Sequence, residues 1–319
     1  MRKQYDVFNG DADGICALHQ LRLAEPRPAA ELVTGVKRDV RLLKKLHGVR
    51  NAEITVLDIS LDSNRDDLYS LLESCKIFYV DHHFPGEIPK SSNLEAHIDP
   101  SPDLCTALIV DRLLAGRFRG WAVAAAYGDN LHGVAVKAAQ PLALTEEKLA
   151  QLREIGELLN YNGYGKTVDD LYFTPQNMYN AIKPFVDPFD FYDQSEQLDR
   201  LRKGFIEDMA RAVDRAPFKQ FLTGRVFRFP GEPWSRRVMG VFANQVARER
   251  QDLAHALIID NPDGTFTVSI RAPLKNKTGA DTLCRSFPTG GGRAAAAGIN
   301  ALPGHQLPDF LNSFEEAFK

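Results

Sequence analysis

Three short apolar runs, each closed by an acidic group, limit this chain more than any other feature. Tyr5-Asp6-Val7-Phe8-Asn9 leads into the turn Asp11-Ala12-Asp13-Gly14; Ile54-Thr55-Val56-Leu57 stops at Asp58; Lys76-Ile77-Phe78-Tyr79-Val80 stops at Asp81-His82-His83. Runs of this length, rich in β-branched and aromatic residues, read as strands. Helical patterns separate them: Ile15, Leu18, Leu21 and Leu23 in the first, Leu68, Leu71 and Leu72 between about 64 and 75, and a third from about 106 to 114. Strands that alternate with helices imply a parallel sheet covered on both faces. The carboxyl ends of such strands line one edge of the sheet, where ligands bind. A further acid, Asp129, follows the Ala-rich segment after Trp121.

The rest of the chain divides by pattern. Residues 145–216 are mostly helical, with a loop at Asn162-Gly163-Tyr164-Gly165, and 193–215 reads as a solvated connecting helix. Strand character returns at 225–229. The apolar runs 256–259 and 265–270 flank Asp260-Asn261-Pro262-Asp263-Gly264, a hairpin signal. The expected organisation is α/β: a parallel-sheet domain over 1–190, a helical linker over 191–216 and a smaller α/β domain over 217–319, with a cleft between the domains.

Composition removes several function classes. Of 319 residues, 44% are hydrophobic and 25% charged, as in soluble globular proteins. No apolar run is long enough to cross a bilayer, so no membrane partner is expected. The first residues lack the apolar core of a secretory signal. Cys16, Cys75, Cys105 and Cys284 form no CxxC pair, so neither a disulfide framework nor a zinc ribbon is indicated and a reducing cytoplasm fits best. The net charge of −3 argues against a global basic field for long duplex DNA. Nothing in the sequence fixes an oligomeric state.

Taken singly, each acidic position has a bland reading. Asp11-Ala12-Asp13-Gly14 is a common surface turn, Asp58 and Asp129 suit helix termini, and a lone His82 or His83 is usually structural. Their joint occurrence in order at strand ends is different. Crowded carboxylates repel, and burying them unpaired is costly. Divalent cations resolve that conflict. Four or five carboxylates with an imidazole suit a pair of ions, with Mn²⁺ preferred over Mg²⁺ by the histidine. Such a pair activates water for in-line attack on a phosphoryl group.

Asp11-Ala12-Asp13-Gly14, Asp58, Asp81-His82-His83 and Asp129 resemble the four motifs of the DHH phosphoesterase superfamily. The resemblance implies that Asp58 bridges two ions, with Asp11, Asp13, His82 and Asp129 shared between them and Asp81 in support. It also implies that His83 faces the phosphate or leaving group as hydrogen-bond donor or general acid. Two positions depart from the pattern. Val7 stands where many members carry histidine, and Asn9 where the exonuclease branch carries aspartate. Asn9 is left to ligate through its carbonyl oxygen or to hold a metal-bound water. A weaker hold on one ion, and a need for added manganese, are expected.

Gly290-Gly291-Gly292-Arg293, followed by Ala294–Ala297, reads either as a loop entering an Ala-rich helix or as a phosphate cradle with a nearby helix dipole. With Ser269 and Arg271 on a preceding strand, these segments resemble the DHHA1 domain, whose Gly-Gly-Gly-His loop holds a nucleotide or its phosphates. Arg293 replaces that histidine, which bears on substrate choice. Lys37, Arg38, Lys44 and Lys45 form a basic stretch whose default reading is a solvated face, with a contribution to a phosphate groove as the lesser one.

The resemblance implies hydrolysis of phosphodiesters in short or single-stranded oligonucleotides or dinucleotides, as exonucleases and nanoRNases do. Two alternatives remain open: a phosphatase acting on a small nucleotide such as 3′-phosphoadenosine phosphate, and a nucleotide-binding regulatory module with a degenerate centre. Inorganic pyrophosphatase fits less well, since that branch keeps the early histidine and a lysine-bearing C-terminal domain.

Overall fold

The structure is a computed structural model and describes residues 2–319. The chain divides into two compact units, one up to Lys203 and the other Gly204–Lys319. Among the described residues, no helix is long and apolar enough to cross a membrane.

The first unit is built on five strands: β1 (Lys3–Asn9), β2 (Glu31–Gly35), β3 (Ala52–Leu57), β4 (Lys76–Asp81) and β5 (Leu94–Ile98). They lie in the order β2-β1-β3-β4-β5, every pair parallel. The helices are α1 (Ala12–Ala24), α2 (Arg65–Leu72), α3 (Thr106–Leu113), α4 (Arg119–Gly128), α5 (His132–Ala139), α6 (Glu146–Gly163), α7 (Pro175–Ile182) and α8 (Pro188–Gln194). The expected α/β class and all three sequence-read strands are present.

Register sets the core. Val7 pairs with Val56, and Val56 with Tyr79. This row meets Leu42, Leu43, Leu46, Leu68 and Leu71 on one face of the sheet. Removing such a side chain from water is worth about 1.5–3 kcal/mol each, which fixes the sheet and with it the strand ends. Close approaches hold the helices over the other face. A Cβ on Gly14 would run into the main chain of Asn9, so the first turn of α1 sits against the end of β1 only with glycine there. A Cβ on Gly156 would likewise strike the carbonyl of Ala124, where α6 crosses α4.

Helix α9 (Glu196–Val213) straddles the division between the units. It is not wholly solvated: Leu198, Leu201, Met209 and Ala212 are buried. The second unit contains β6 (Lys219–Gln220), β7 (Gly224–Phe229), β8 (Ala254–Asp260), β9 (Thr265–Arg271), β10 (Gly290–Arg293) and β11 (Ala296–Pro303), with α10 (Pro233–Glu249), α11 (Ala280–Arg285) and α12 (Leu307–Ala317). Its sheet runs β10-β11-β9-β8-β7-β6. Only β7 and β8 pair in parallel, joined through α10; β8 and β9 form the expected antiparallel hairpin.

One local expectation fails. The glycine run neither enters a helix nor sits at a helix N-terminus: Gly290–Arg293 is an edge strand that turns back through Ala294-Ala295 into β11. Pairing of Ala296–Ile299 with Val268–Arg271 overrides the helical preference of the alanines.

Candidate metal centre

Each acidic side chain is aimed by the end of an element. Asp11 is the N-cap of α1: its Oδ1 accepts the main-chain N–H of Asp13 at 3.0 Å and of Gly14 at 3.2 Å. Asp13, in the first turn, is fully buried and accepts the N–H of Thr106 and of Ala107, both at 2.7 Å. It thereby supplies the cap that Cys105 does not provide for α3. Asp58 follows β3 with a left-handed backbone, φ +57°. For a non-glycine residue this is a strained conformation, of the kind found at functional sites. Asp129 closes α4.

His82 joins these groups. Its Nδ1 lies 3.0 Å from the carbonyl of Leu104, which can only accept, so Nδ1 carries the proton and the Nε2 lone pair faces inward. That Nε2 stands 3.5 Å from Asp58, 3.8 Å from Asp129 and 4.0 Å from Asp13. Two overlapping sets, Asp58/His82/His83 and Asp13/His82/Asp129, present ligand atoms within 4.8 Å of one another. His83 donates from Nδ1 to Asp81 Oδ1 at 2.7 Å, leaving its Nε2 free, with 41% of the side chain exposed. The other oxygen of Asp81 is buried without a partner.

The electrostatics match this crowding. Burial, then the neighbouring Asp13, Asp11 and Asp129, push Asp58 well above the usual carboxylate range. Burial and Asp129 raise Asp13 to about 6. For His83, burial opposes the charge but the hydrogen bond to Asp81 outweighs it, and the pKa is raised. Hard, oxygen-rich donors with one inward imidazole fit a divalent cation of the Mn²⁺ or Mg²⁺ type. Asp13, Asp58, His82 and Asp129 are the residues placed to hold it.

Lys37 departs from its sequence reading as part of a solvated basic stretch. Its Nζ enters the cluster, 2.5 Å from Asp11 Oδ2, 2.9 Å from Asn160 Oδ1 and 3.1 Å from Asp129 Oδ1. The side chain is 27% exposed and lies over the Tyr164 ring at 5.6 Å. Burial raises Asp11, but the Lys37 ammonium and the Gly14 N–H outweigh it and hold the carboxyl below its ordinary value. Asn9 touches the lysine's own main chain, donating from Nδ2 to the Lys37 carbonyl at 3.2 Å, while its Oδ1 is buried and unpartnered. Val7 is fully buried in the sheet core. Sequence does hold a signal for Lys37: it comes two residues after Gly35, which ends β2 at the same sheet edge as the acids.

In the second unit, Ser269 and Arg271 lie on one face of β9, opposite Gly298 and Ala296 of β11, which pair in turn with Gly291 and Arg293 of β10. The intervening Ile270 and Ala297 point into the core. Arg271 donates to Ser269 Oγ at 3.0 Å and to Asn244 Oδ1 at 2.7 Å. The register thus puts Arg271 and Arg293 on the same face of the sheet as Ser269, Gly291, Ala296 and Gly298. Gly290 and Gly292 belong to the same edge strand; a Cβ on Gly292, at φ +139°, would strike Ala297.

The fold, a parallel sheet with acidic groups gathered at one edge, is the one that the motif resemblance implies. Solved structures agree. The chain is similar to an exonuclease RecJ bound to manganese, with TM-score 0.62 and 17% identity over 99% of this chain and 89% of that one. It is similar to RecJ in complex with Mn²⁺ from Thermus thermophilus, with TM-score 0.56 and 19% identity, covering 99% of this chain and 52% of the other. A pGpG-specific phosphodiesterase, PggH from Vibrio cholerae, matches at TM-score 0.55 and 11% identity over 99% of both chains. These likenesses extend over nearly the whole chain and show a shared two-domain α/β fold. No sequence-family model matches the chain, and no curated protein does.

Proposed function

We propose that this chain is a divalent-metal-dependent phosphoesterase acting on phosphodiester bonds of short or single-stranded oligonucleotides or dinucleotides. The observation that carries the reading is the inward Nε2 of His82, within 4.0 Å of three carboxylates delivered by separate elements. A bound divalent cation supplies two things here: a lowered pKa for a coordinated water, and charge stabilisation on the phosphoryl oxygens. The protein's own groups do the rest. Leu104 fixes the tautomer of His82, and the N-terminal amides of α3 fix Asp13. His83, held by Asp81 and raised in pKa, donates a proton from Nε2 to the leaving oxygen. In the second unit, Arg271 and Arg293 lie beside small residues, a combination suited to a phosphate.

The names of the similar structures, an exonuclease and a pGpG phosphodiesterase, support this substrate class. The test is product analysis against short RNA and DNA oligomers, linear and cyclic dinucleotides, and 3′-phosphoadenosine phosphate, with Mn²⁺ present. Mononucleotide release from the oligomers or linear dinucleotides is expected, with a loss of about 10²-fold or more in His82→Ala, the scale on which metal-site support and general catalysis operate. Turnover unaffected by His82→Ala would contradict the reading, as would tight nucleotide binding with no turnover.

A further inference from the structure

We infer that the Lys37 ammonium stands in the place of one of the two divalent ions expected from the motifs, so that the centre takes a single divalent ion beside a built-in cation. The inference deepens the phosphoesterase reading and rests on it.

The arrangement of acceptors carries the argument. Asp11, expected as an ion ligand, already has a cation on one oxygen: Oδ2 receives the Lys37 ammonium, and Oδ1 receives two main-chain N–H groups; the oxygens of Asp13 accept only neutral amides. Asp129 is split between two cationic positions. Its Oδ1 meets Lys37 at 3.1 Å, and its Oδ2 lies 3.8 Å from His82 Nε2, on the side of Asp13 and Asp58. A carboxylate shared in this way is what a two-ion centre requires, except that one partner is an ammonium. Asn160 completes three oxygen acceptors for the three N–H donors of Lys37.

The lysine is held, not merely present. Its main-chain N–H donates to the Gly163 carbonyl at 3.0 Å, and its carbonyl accepts from Asn9 Nδ2 at 3.2 Å. Those contacts fix the backbone on both sides, so the side chain enters from a set position. Asn9 and Val7, the two departures from the motif pattern, are explained together. Asn9 serves the lysine's backbone where an aspartate would bring charge, and Val7, buried in the sheet core, offers no ligand. The carboxylates that remain around His82 Nε2 are Asp13, Asp58 and Asp129, without Asp11, and His83 keeps its proton for the leaving oxygen. A single ion satisfies them.

The test counts ions. Full-length protein is dialysed against Mn²⁺ and its bound metal measured by mass spectrometry, alongside its electron paramagnetic resonance spectrum. Wild type is expected to hold one Mn²⁺ per chain with the spectrum of an isolated ion. Lys37→Ala and Lys37→Gln, which free Asp11 and one face of Asp129, are expected to take up a second ion and to show the exchange coupling of a pair. Lys37→Arg keeps the charge and is expected to stay at one. Two coupled ions in wild type would overturn the substitution while leaving the phosphoesterase reading intact, a result that needs no variant to fold. A single ion in both Lys37→Ala and Lys37→Gln would overturn it as well. No Mn²⁺ in any of these proteins would remove both together.

Discussion

His82 and the Leu104 carbonyl, 3.0 Å apart, decide which face of the imidazole the acidic cluster sees. Because the carbonyl can only accept, the ring's one proton is spent outward and a lone pair is left pointing at Asp13, Asp58 and Asp129. A histidine that merely filled space would have no need of that orientation. That orientation is the one a metal ligand requires.

Asp58 carries a cost that its chemistry explains. Its left-handed backbone and its carboxylate among other carboxylates both oppose folding. Asp58→Gly should therefore stabilise the metal-free chain by about 1 kcal/mol through relief of backbone strain. It should abolish Mn²⁺-dependent turnover at the same time. Urea unfolding without metal, paired with a phosphodiester assay, checks both halves. A destabilised Asp58→Gly would refute the strain.

Asp13 serves the fold as well as the site. In Asp13→Ala the buried N–H groups of Thr106 and Ala107 lose their acceptor, at about 1–3 kcal/mol for each buried group left unsatisfied. Asp13→Asn retains one acceptor oxygen and should lose less stability than Asp13→Ala, yet lose metal affinity to a similar degree. Urea midpoints measured beside Mn²⁺ titrations separate the two roles.

Two buried histidines set an acid limit on stability. Burial lowers His19, which donates to the Phe185 carbonyl, to about 4; burial and then Arg225 lower His255 to about 4. Both rings are neutral in the folded chain and take up a proton on unfolding at any pH between about 4 and the ordinary 6.5. Stability is thus full above that window and falls as the pH drops through it, by up to about 1.4 kcal/mol per pH unit for each histidine. Denaturation midpoints compared at pH 7 and pH 5 should show a smaller drop for His255→Asn than for wild type. An equal drop would mean that His255 titrates normally in the fold.

Much of the first unit can be read from sequence because β1, β3 and β4 lie in the middle of the sheet, where burial on both faces demands continuous apolar runs. The edge strands escape such a reading for the converse reason: Glu31-Leu32-Val33-Thr34-Gly35 and Leu94-Glu95-Ala96-His97-Ile98 are short and half polar. Their partners, not their own residues, make them strands. Lys37 escapes it because local charge pattern says nothing about a loop that folds back over Asp11 and Asp129. The glycine run misleads because glycine shows no face. Its alternation becomes visible only when Gly291 and Arg293 are set against Gly298 and Ala296.

The most direct measurement is the anomalous scattering of manganese in crystals of the full chain grown with Mn²⁺. A peak is expected within coordinating distance of His82 Nε2 and of oxygens from Asp13, Asp58 and Asp129. A manganese peak elsewhere, or none at saturating Mn²⁺, would contradict it.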